Sequence, residues 1–255
     1  MYTGSGRGLE AIIFDLGGTL MYFDAPFPEV LADANAALLD GLKETGLQLD
    51  EQAFLQAFDD RLEAYYDERA SEFVEYTTLY LLRSLLADWG YSEVPADSLR
   101  PALEGFYAVT QAHWLIEPDA VPTLQTLQQK GYRLALVSNA GDDADVQTLV
   151  DKAGIRSYFD RILTSAAEGI RKPNPRIFQT LLDYWGILPG RVAMVGDTLG
   201  ADILGARNAG LFGIWITRRA DTPANRAHSD TIQPDATIAS LNELPGLLEN
   251  LGSKG

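Results

Sequence analysis

Short apolar runs alternate with amphipathic stretches along most of the chain. The apolar runs occupy residues 11–14, 133–137, 161–163, 192–195, 212–216 and 236–238. Stretches with helical spacing lie between them near 119–130, 143–153, 174–185 and 200–209, and a last one lies near 241–251. Short continuous apolar strands joined by helical crossovers are typical of a parallel sheet that helices cover on both faces. The pattern therefore predicts an α/β fold with a doubly wound parallel sheet in three layers.

Residues 22–116 have a different texture, with no convincing strand and with segments of helical spacing at 26–45, 51–70, 74–89 and 97–114. Apolar residues in these segments recur at intervals of three and four, which gives each segment one apolar face. We therefore predict an all-helical domain over 22–116, inserted into a core domain formed by 9–21 and 117–251. Linkers near 21–25 and 115–118 would join the two domains.

Polar or charged side chains follow the apolar parts of four segments. These residues are Asp15, Ser138, Lys172, Asp197 and Asp202. Because an open parallel sheet places its ligand groups at the carboxyl ends of its strands, we expect these side chains to converge. Three carboxylates with one ammonium and one hydroxyl describe a phosphate site that a divalent cation completes.

The same four segments carry a family resemblance. They are AIIFDLGGTL at 11–20, LALVSNA at 134–140, GIRKPNPRIF at 169–178 and VAMVGDTLGADILGARNAG at 192–210. The chain thereby resembles the haloacid dehalogenase (HAD) superfamily. Phosphatases of that superfamily carry an aspartate nucleophile in a D-x-D-G-T-[LV] signature, then a Ser or Thr, a Lys, and a final G-D-x-x-x-D or G-D-x-x-x-x-D. The resemblance covers nearly the whole chain and implies a Rossmann-like core with a helical cap between the first two motifs.

The resemblance implies a role for each motif residue. The catalytic residues would be Asp15, Lys172 and Ser138. Asp15 would attack phosphorus and carry an aspartyl phosphate, Lys172 would hold the nucleophile and the phosphate together, and the Ser138 hydroxyl would donate to phosphoryl oxygens. Mg²⁺ would be bound by Asp15, Asp197 and the Gly17 carbonyl, with Asp202 binding it directly or through water. The residues expected to bind phosphate are Gly18, Thr19, Ser138, Asn139 and Lys172.

Gly17 departs from the family pattern, because the phosphatases carry a second aspartate at this position. That aspartate protonates the leaving oxygen and later deprotonates the attacking water, and glycine does neither. Loss of a general acid/base slows a reaction by roughly 10²–10⁴-fold. Three ways to compensate are open: a carboxylate such as Asp24 or Glu117, a water molecule, or a leaving group that needs little protonation. Glycine would also suit a backbone angle that aspartate adopts poorly.

Three function classes stay open at this point. The first is an Mg²⁺-dependent phosphatase acting on a small phosphorylated metabolite through an aspartyl-phosphate intermediate. The second is a 2-haloacid dehalogenase, whose aspartate attacks carbon without a metal. Its relatives carry an aromatic residue in place of Gly17 and lack the pair seen at Gly196 and Asp197, so the metal carboxylates count against it. The third is a non-catalytic phosphate-binding protein on the same scaffold, for which Gly17 is the sole indication.

Composition narrows the possible partners. The formal net charge of −16 over 255 residues disfavours binding to a nucleic-acid backbone. The chain has no cysteine for disulfide or thiol chemistry, and its two histidines, His113 and His228, are too far apart in sequence to suggest a zinc site. No apolar stretch approaches the roughly 20 residues of a membrane helix. The opening segment, 1–8, is polar and Gly-rich, and is expected to be a flexible tail rather than a secretory signal. We therefore expect a cytoplasmic protein that binds neither nucleic acid nor membrane, and its oligomeric state stays open.

Several other side chains carry weaker expectations. Arg171 and Arg176 are predicted to lie at the rim of the site or on the surface, and His113 to be a structural or surface residue. A group of aromatic residues either lines a substrate pocket or forms the core of the helical domain. Its members include Tyr65, Tyr66, Phe73, Tyr76 and Tyr80.

Overall fold

A computed structural model describes residues 8–253, with side chains for 8–65 and 73–253. The strands are β1 (Ala11–Phe14), β2 (Met21–Phe23), β3 (Trp114–Ile116), β4 (Arg133–Ser138), β5 (Arg161–Thr164), β6 (Val192–Gly196), β7 (Phe212–Ile216) and β8 (Ala236–Ile238). Six of them form one parallel sheet in the order β5-β4-β1-β6-β7-β8. The tail predicted at the start of the chain lies outside the described residues, apart from Gly8.

Helices connect the strands. They are α1 (Phe27–Glu44), α2 (Glu51–Glu72), α3 (Thr78–Asp88), α4 (Ala96–Ala112), α5 (Ala120–Gln129), α6 (Asp143–Lys152), α7 (Ser165–Glu168), α8 (Arg176–Trp185), α9 (Leu204–Ala209), α10 (Pro223–His228) and α11 (Leu244–Gly252). Helices α7 and α10 were not predicted, because they have only four and six residues and show no helical period. In the described part of the chain, no helix combines the length and the apolar character needed to cross a membrane.

Successive residues of the central strand β1 pack on opposite faces of the sheet. Ile12 and Phe14 belong to a hydrophobic cluster with side chains of α5, α6 and α11. Ile13 belongs to a second cluster, whose helical side chains come mainly from α8. Burial on both faces explains why the strands read as continuous apolar runs. The predicted doubly wound, three-layer α/β fold is confirmed.

Helices α1 to α4 form a helical unit with a hydrophobic core of its own. Leu38, Phe54, Leu82 and Leu99 come from the four helices in turn, and all four are fully buried in this core. The third helix was predicted over 74–89 but begins only at Thr78, where the Thr77 side chain caps the first turn of α3. That the unit is a separate cap domain with the boundaries stated above stays a prediction.

The two linkers between the helical unit and the sheet form a ribbon. Strands β2 and β3 pair antiparallel, with Met21 opposite Ile116 and Phe23 opposite Trp114. The expectation of no strand within 22–116 is therefore wrong. Each strand has three residues, which is too short for a recognisable period, and the pairing depends on two segments that are distant in sequence. The rings of Phe23 and Trp114 pack edge to face with centroids 5.4 Å apart, which fixes Trp114 beside the first motif.

Candidate active site

The parallel strands bring most of the predicted site residues to one edge of the sheet. Phe14 of β1 lies opposite Leu136 of β4 and Val195 of β6, so the three strands end at similar levels. The hydrogen bonding between β1 and β6 continues one residue past the end of β1, since the Asp15 backbone N–H donates to the Val195 carbonyl at 2.9 Å. A cavity of about 410 Å³, here called the phosphate cavity, opens at this edge. Its wall includes Asp15, Gly17, Ser138, Asn139, Lys172 and Asp202.

Lys172 lies at the centre of the cluster, with its side chain 1% exposed. Its Nζ donates to Asp15 Oδ1 at 2.6 Å and to the Val137 carbonyl at 2.7 Å, and it lies 2.7 Å from Asp202 Oδ1. Asn139 holds the backbone of Lys172 from both sides, accepting from its N–H at 2.9 Å and donating to its carbonyl at 3.0 Å. Burial lowers the pKa of Lys172, but the charges of Asp15 and Asp202 outweigh it and the net shift is upward. Lys172 is therefore charged.

Three carboxylates share this single ammonium. Asp15, Asp197 and Asp202 each offer one oxygen within 4.8 Å of the others. Burial, with the added charges of Asp15 and Asp202, raises the pKa of Asp197 to about 8. Burial also raises the pKa of Asp15 to about 6, with Lys172 opposing that shift and Asp202 adding to it. The cluster thus carries an excess of negative charge that a divalent cation would relieve.

The donor atoms fit such a cation. The Asp197 carboxylate accepts a long hydrogen bond of 3.3 Å from the Thr198 hydroxyl and keeps further lone pairs for a ligand. Asp202 is more fully engaged, since Oδ2 accepts from the Thr198 N–H at 2.9 Å while Oδ1 faces Lys172. Gly18 has a φ of +79°, and a Cβ there would lie 2.5 Å from Asp197 Oδ2, so the close approach requires glycine. Oxygen donors alone suit a hard cation such as Mg²⁺.

Two residues that the sequence did not indicate support Asp197. Its carbonyl accepts from Trp215 Nε1 and from Asn225 Nδ2, both at 2.8 Å. The Asn225 Oδ1 in turn accepts from the Leu199 N–H at 2.7 Å. Asn225 therefore holds the loop that carries Asp197. No local signal identifies it, because it follows an ordinary Thr-Pro helix start.

The space beside Gly17 is occupied by Trp114. A Cβ at residue 17 would lie 3.0 Å from Cη2 of the Trp114 indole. The φ of Gly17 is not positive, in contrast to that of Gly18. The expectation that this glycine serves a special backbone angle is therefore wrong, and the requirement is one of space.

The other predicted residues have varied positions. Gly18 and the fully buried Thr19 do not line the phosphate cavity. Arg176 is exposed, as predicted. Arg171 is not on the open surface: its side chain is 11% exposed, lines the phosphate cavity and lies 3.5 Å from Glu75. Its contact with a segment of the helical unit is not revealed by the local sequence.

The two carboxylates proposed as substitutes for a Gly17 acid/base have partners elsewhere. Glu117 pairs with Arg218 at 2.9 Å and also with Arg219. Asp24 pairs with His113 at 3.0 Å, which agrees with a structural role for that histidine. Neither carboxylate lines the phosphate cavity.

A second cavity of about 320 Å³ lies next to the first, between the helical unit and the sheet. We call it the side cavity. Tyr65 and Tyr76 line it, whereas Phe73 and the exposed Tyr80 do not. The side chain of Tyr66 lies outside the described residues. The described residues that line the side cavity include four with carboxylates, Asp59, Glu63, Glu75 and Asp145, and no lysine, arginine or histidine.

A doubly wound sheet with an acidic cluster and a buried lysine at its carboxyl edge defines an α/β protein suited to chemistry on an anionic group. A sequence model of the haloacid dehalogenase-like hydrolases matches residues 9–210. The chain belongs to this family and is a hydrolase.

Its relatives match nearly the whole length of the chain. A glyceraldehyde 3-phosphate phosphatase of Methanothermobacter thermautotrophicus is 32% identical over 90% of this chain and 95% of the relative. A ribulose-1,5-bisphosphate 5-phosphatase of Halopiger xanaduensis is 29% identical over 93% of this chain and 98% of the relative. The crystal structure of a 2-haloacid dehalogenase from Pseudomonas syringae superposes with a TM-score of 0.65 and 27% identity, covering 95% of this chain and 99% of that chain.

Proposed function

We propose that the protein is an Mg²⁺-dependent phosphatase that cleaves a small phosphorylated metabolite through an aspartyl phosphate on Asp15. The observation that carries this proposal is the cluster of three buried carboxylates, Asp15, Asp197 and Asp202. Asp15 and Asp202 contact the Lys172 ammonium and line a cavity of about 410 Å³. The phosphatases among its relatives support the reaction class. The cytoplasmic location expected from the sequence stays a prediction.

Each site residue has a defined task in this proposal. An Asp15 carboxylate oxygen attacks phosphorus, which splits one difficult displacement into two. Lys172 holds that carboxylate at 2.6 Å and neutralises part of the charge of the phosphoryl oxygens. The Ser138 hydroxyl donates to a phosphoryl oxygen, while Asn139 holds Lys172 in place.

The metal would be held by Asp15, Asp197 and the Gly17 carbonyl. It would supply positive charge that offsets the negative charges of the three carboxylates and of the phosphate. Asp197 is the stronger ligand in this proposal, because Lys172 and the Thr198 N–H already engage both oxygens of Asp202. Asp202 would then bind the metal directly or through water, and it also positions Lys172.

We also propose that the helical unit, 22–116, is a cap domain over the core domain, 9–21 and 117–251. Three backbone hydrogen bonds join the cap to the site loops. Glu75 N–H donates to the Gly169 carbonyl at 3.2 Å, Thr78 N–H donates to the Gly141 carbonyl at 2.8 Å, and Arg171 N–H donates to the Phe73 carbonyl at 3.1 Å. The phosphate cavity and the side cavity lie beneath this contact, so the cap residues that line them would select the substrate.

One observation favours a 2-haloacid dehalogenase as the second candidate. The Trp114 indole fills the space beside Gly17, and the dehalogenases that the chain resembles carry an aromatic residue at that position. Asp197 argues against this candidate, since a reaction at carbon has no use for a metal carboxylate.

The proposed function is tested by a screen of phosphorylated metabolites with Mg²⁺ present and with chelator. Phosphate release that requires Mg²⁺ supports the proposal. Halide release from a 2-haloacid without metal would replace it by the second candidate, and tight phosphate binding without turnover of any substrate would indicate a non-catalytic scaffold.

Mg²⁺ should raise the thermal unfolding midpoint, and the increase should grow between about pH 6 and about pH 8. At about one hundred times its Kd, the ion adds about 2.7 kcal/mol to the free energy of unfolding. The pKa of Asp197 is raised from 3.8 to about 8, so folded protein without metal binds a proton there that unfolded protein releases. The free energy of unfolding without Mg²⁺ therefore falls as pH rises from about 6 to about 8. Over the same range Asp197 loses its proton, so Mg²⁺ binds without having to displace it. Melting curves with Mg²⁺ and with chelator at several pH values measure both effects.

Substitutions test whether the cluster of three carboxylates causes the Mg²⁺-dependent shift of the unfolding midpoint. Asp197→Asn should remove most of the Mg²⁺ shift, and Asp202→Asn should reduce it less. Asp183→Asn, which removes an exposed carboxylate from α8, is the matched control and should respond like the unaltered chain. An undiminished Mg²⁺ shift in Asp197→Asn would contradict the proposed metal site.

Gly17→Asp should lower the free energy of unfolding by roughly 1–3 kcal/mol, as overpacking of a filled space does. The reason is the Trp114 ring, 3.0 Å from the added Cβ. Trp114→Leu in the same chain should recover part of that loss. Denaturant unfolding at saturating Mg²⁺ separates this packing effect from added charge, and Gly17→Ala tests the Cβ by itself. If Gly17→Asp equals the unaltered protein in stability, Trp114 does not limit this space.

A further inference from the structure

One carboxylate of the phosphate cavity belongs neither to the metal cluster nor to an ion pair among the described residues. It is Asp145, in the first turn of α6. Its backbone N–H donates to the Asp142 carboxylate at 3.1 Å, and Gln111 of α4 donates from Nε2 to Asp145 Oδ1 at 2.9 Å. The core and the helical unit together therefore fix this side chain, and Oδ2 is left for another partner.

Asp145 stands where the two cavities meet. It lines both of them, together with Trp114 and Gly141. In phosphoryl transfer the leaving oxygen lies opposite the attacking oxygen. A phosphate ester attacked by Asp15 in the phosphate cavity would thus direct its leaving group to an adjoining space, and the side cavity is such a space. The oxygen that departs then lies at the boundary beside Asp145.

We propose that Asp145 is the general acid/base that replaces the carboxylate missing at Gly17. This inference rests on the proposed phosphatase function. As the bond from phosphorus to the leaving oxygen breaks, the Asp145 carboxyl gives its proton to that oxygen while the phosphoryl group passes to Asp15. The Asp145 carboxylate then takes a proton from the water that attacks the aspartyl phosphate. Inorganic phosphate leaves, Asp15 is regenerated as a carboxylate, and Asp145 is again protonated.

The surroundings of Asp145 suit both halves of this cycle. Burial raises its pKa from 3.8 to about 6, the Gln111 hydrogen bond opposes the shift, and the charge of Asp142 adds to it. A carboxyl with such a pKa exchanges protons near neutral pH. Other charged groups face it across the two cavities. They are Asp15, Arg171, Lys172 and Asp202 in the phosphate cavity, and Asp59, Glu63 and Glu75 in the side cavity.

The test compares Asp145→Asn with the unaltered protein on two classes of substrate, both at saturating Mg²⁺. For an alkyl phosphate, whose leaving oxygen needs a proton, kcat/KM should fall by roughly 10²–10⁴-fold. For 4-nitrophenyl phosphate, whose leaving group needs none, kcat/KM should change by less than about tenfold, because this constant reports the first phosphoryl transfer. Deprotonation of water is still lost, so this substrate should give a burst of about one nitrophenolate per protein and then slow turnover.

The pH profile supplies a second readout. A general acid must be protonated, so kcat/KM of the unaltered protein for the alkyl phosphate should fall as pH rises through the Asp145 pKa. Asp145→Asn should lose this fall. Asp143→Asn is the matched control, since it removes a carboxylate from the same helical turn, where Asp143 accepts from the Thr164 hydroxyl and does not line either cavity.

Two results would overturn the proposal. One is an equal fall of kcat/KM for both substrates in Asp145→Asn, and the other is an unchanged alkyl rate. Asp145→Ser, which also removes the carboxylate, is measured in the same way, so that the conclusion does not depend on one variant folding. Absence of any Mg²⁺-dependent phosphate release from the unaltered protein refutes the phosphatase function itself, and is thereby distinct from failure of the Asp145 assignment.

Discussion

Asp15→Asn should reduce phosphate release on the order of 10⁴-fold or more, because an amide does not form the aspartyl phosphate. The substitution preserves the shape of the side chain. It also removes a buried charge whose pKa is raised to about 6, so the fold should survive and the stability without Mg²⁺ should not fall. Initial rates of phosphate release at saturating substrate and Mg²⁺ measure the loss.

A folded protein is the necessary control for this result. Unfolding curves of Asp15→Asn should show the same cooperativity as those of the unaltered protein, and Asp183→Asn should keep full activity. A correctly folded Asp15→Asn protein that retains more than about one tenth of the rate would remove Asp15 as the nucleophile.

Lys172→Met should abolish turnover and lower the free energy of unfolding without metal by about 3–5 kcal/mol. Removal of one partner of a buried ion pair has this cost because the remaining charges are left without compensation. Asp15 and Asp202 lie 2.6 and 2.7 Å from the Lys172 ammonium, and both would face Asp197 with no cation between them. Mg²⁺ should restore part of the stability but not the turnover.

The destabilisation by Lys172→Met should shrink at low pH. The pKa of Asp15 already lies above its ordinary 3.8 in the presence of Lys172, and loss of the ammonium raises it further. The folded variant therefore takes up protons as pH falls, and the unfolded chain does so only nearer 3.8. Denaturant unfolding at several pH values measures the trend. Lys130→Met, which removes an exposed ion pair to Glu249, is the control and should show no such dependence. A constant loss at all pH values would contradict the electrostatic explanation.

Residues close to a strand end were the most predictable part of the site. Asp15 follows β1 directly and Asp197 follows β6 directly, so the position of each depends on a short apolar run and on the rule that parallel strands end together. The position of Lys172 was not predictable from a strand end, because the residue lies in a loop before α8. The family motif rather than periodicity indicated it. Its burial between two carboxylates followed from that placement.

Contacts between the helical unit and the sheet were not predictable in the same way. The Arg171 side chain is largely covered because a segment of the helical unit, which includes Glu75, packs over it. The ribbon of β2 and β3 exists because two short linkers lie side by side. Neither feature has a local period, and both depend on how surfaces distant in sequence dock.

The sequence by itself determined the doubly wound sheet, the helical character of most of 27–112 and the convergence of most motif residues. These follow from side-chain periodicity and from strand ends, which are local properties of the chain. The tertiary structure alone decided what lies beside Gly17, which is the Trp114 ring. It also decided which carboxylate outside the metal cluster lines the phosphate cavity, which is Asp145 rather than Asp24 or Glu117. The physical reason is that space and charge in a cavity are set by all the elements that surround it, and no single segment contains that information.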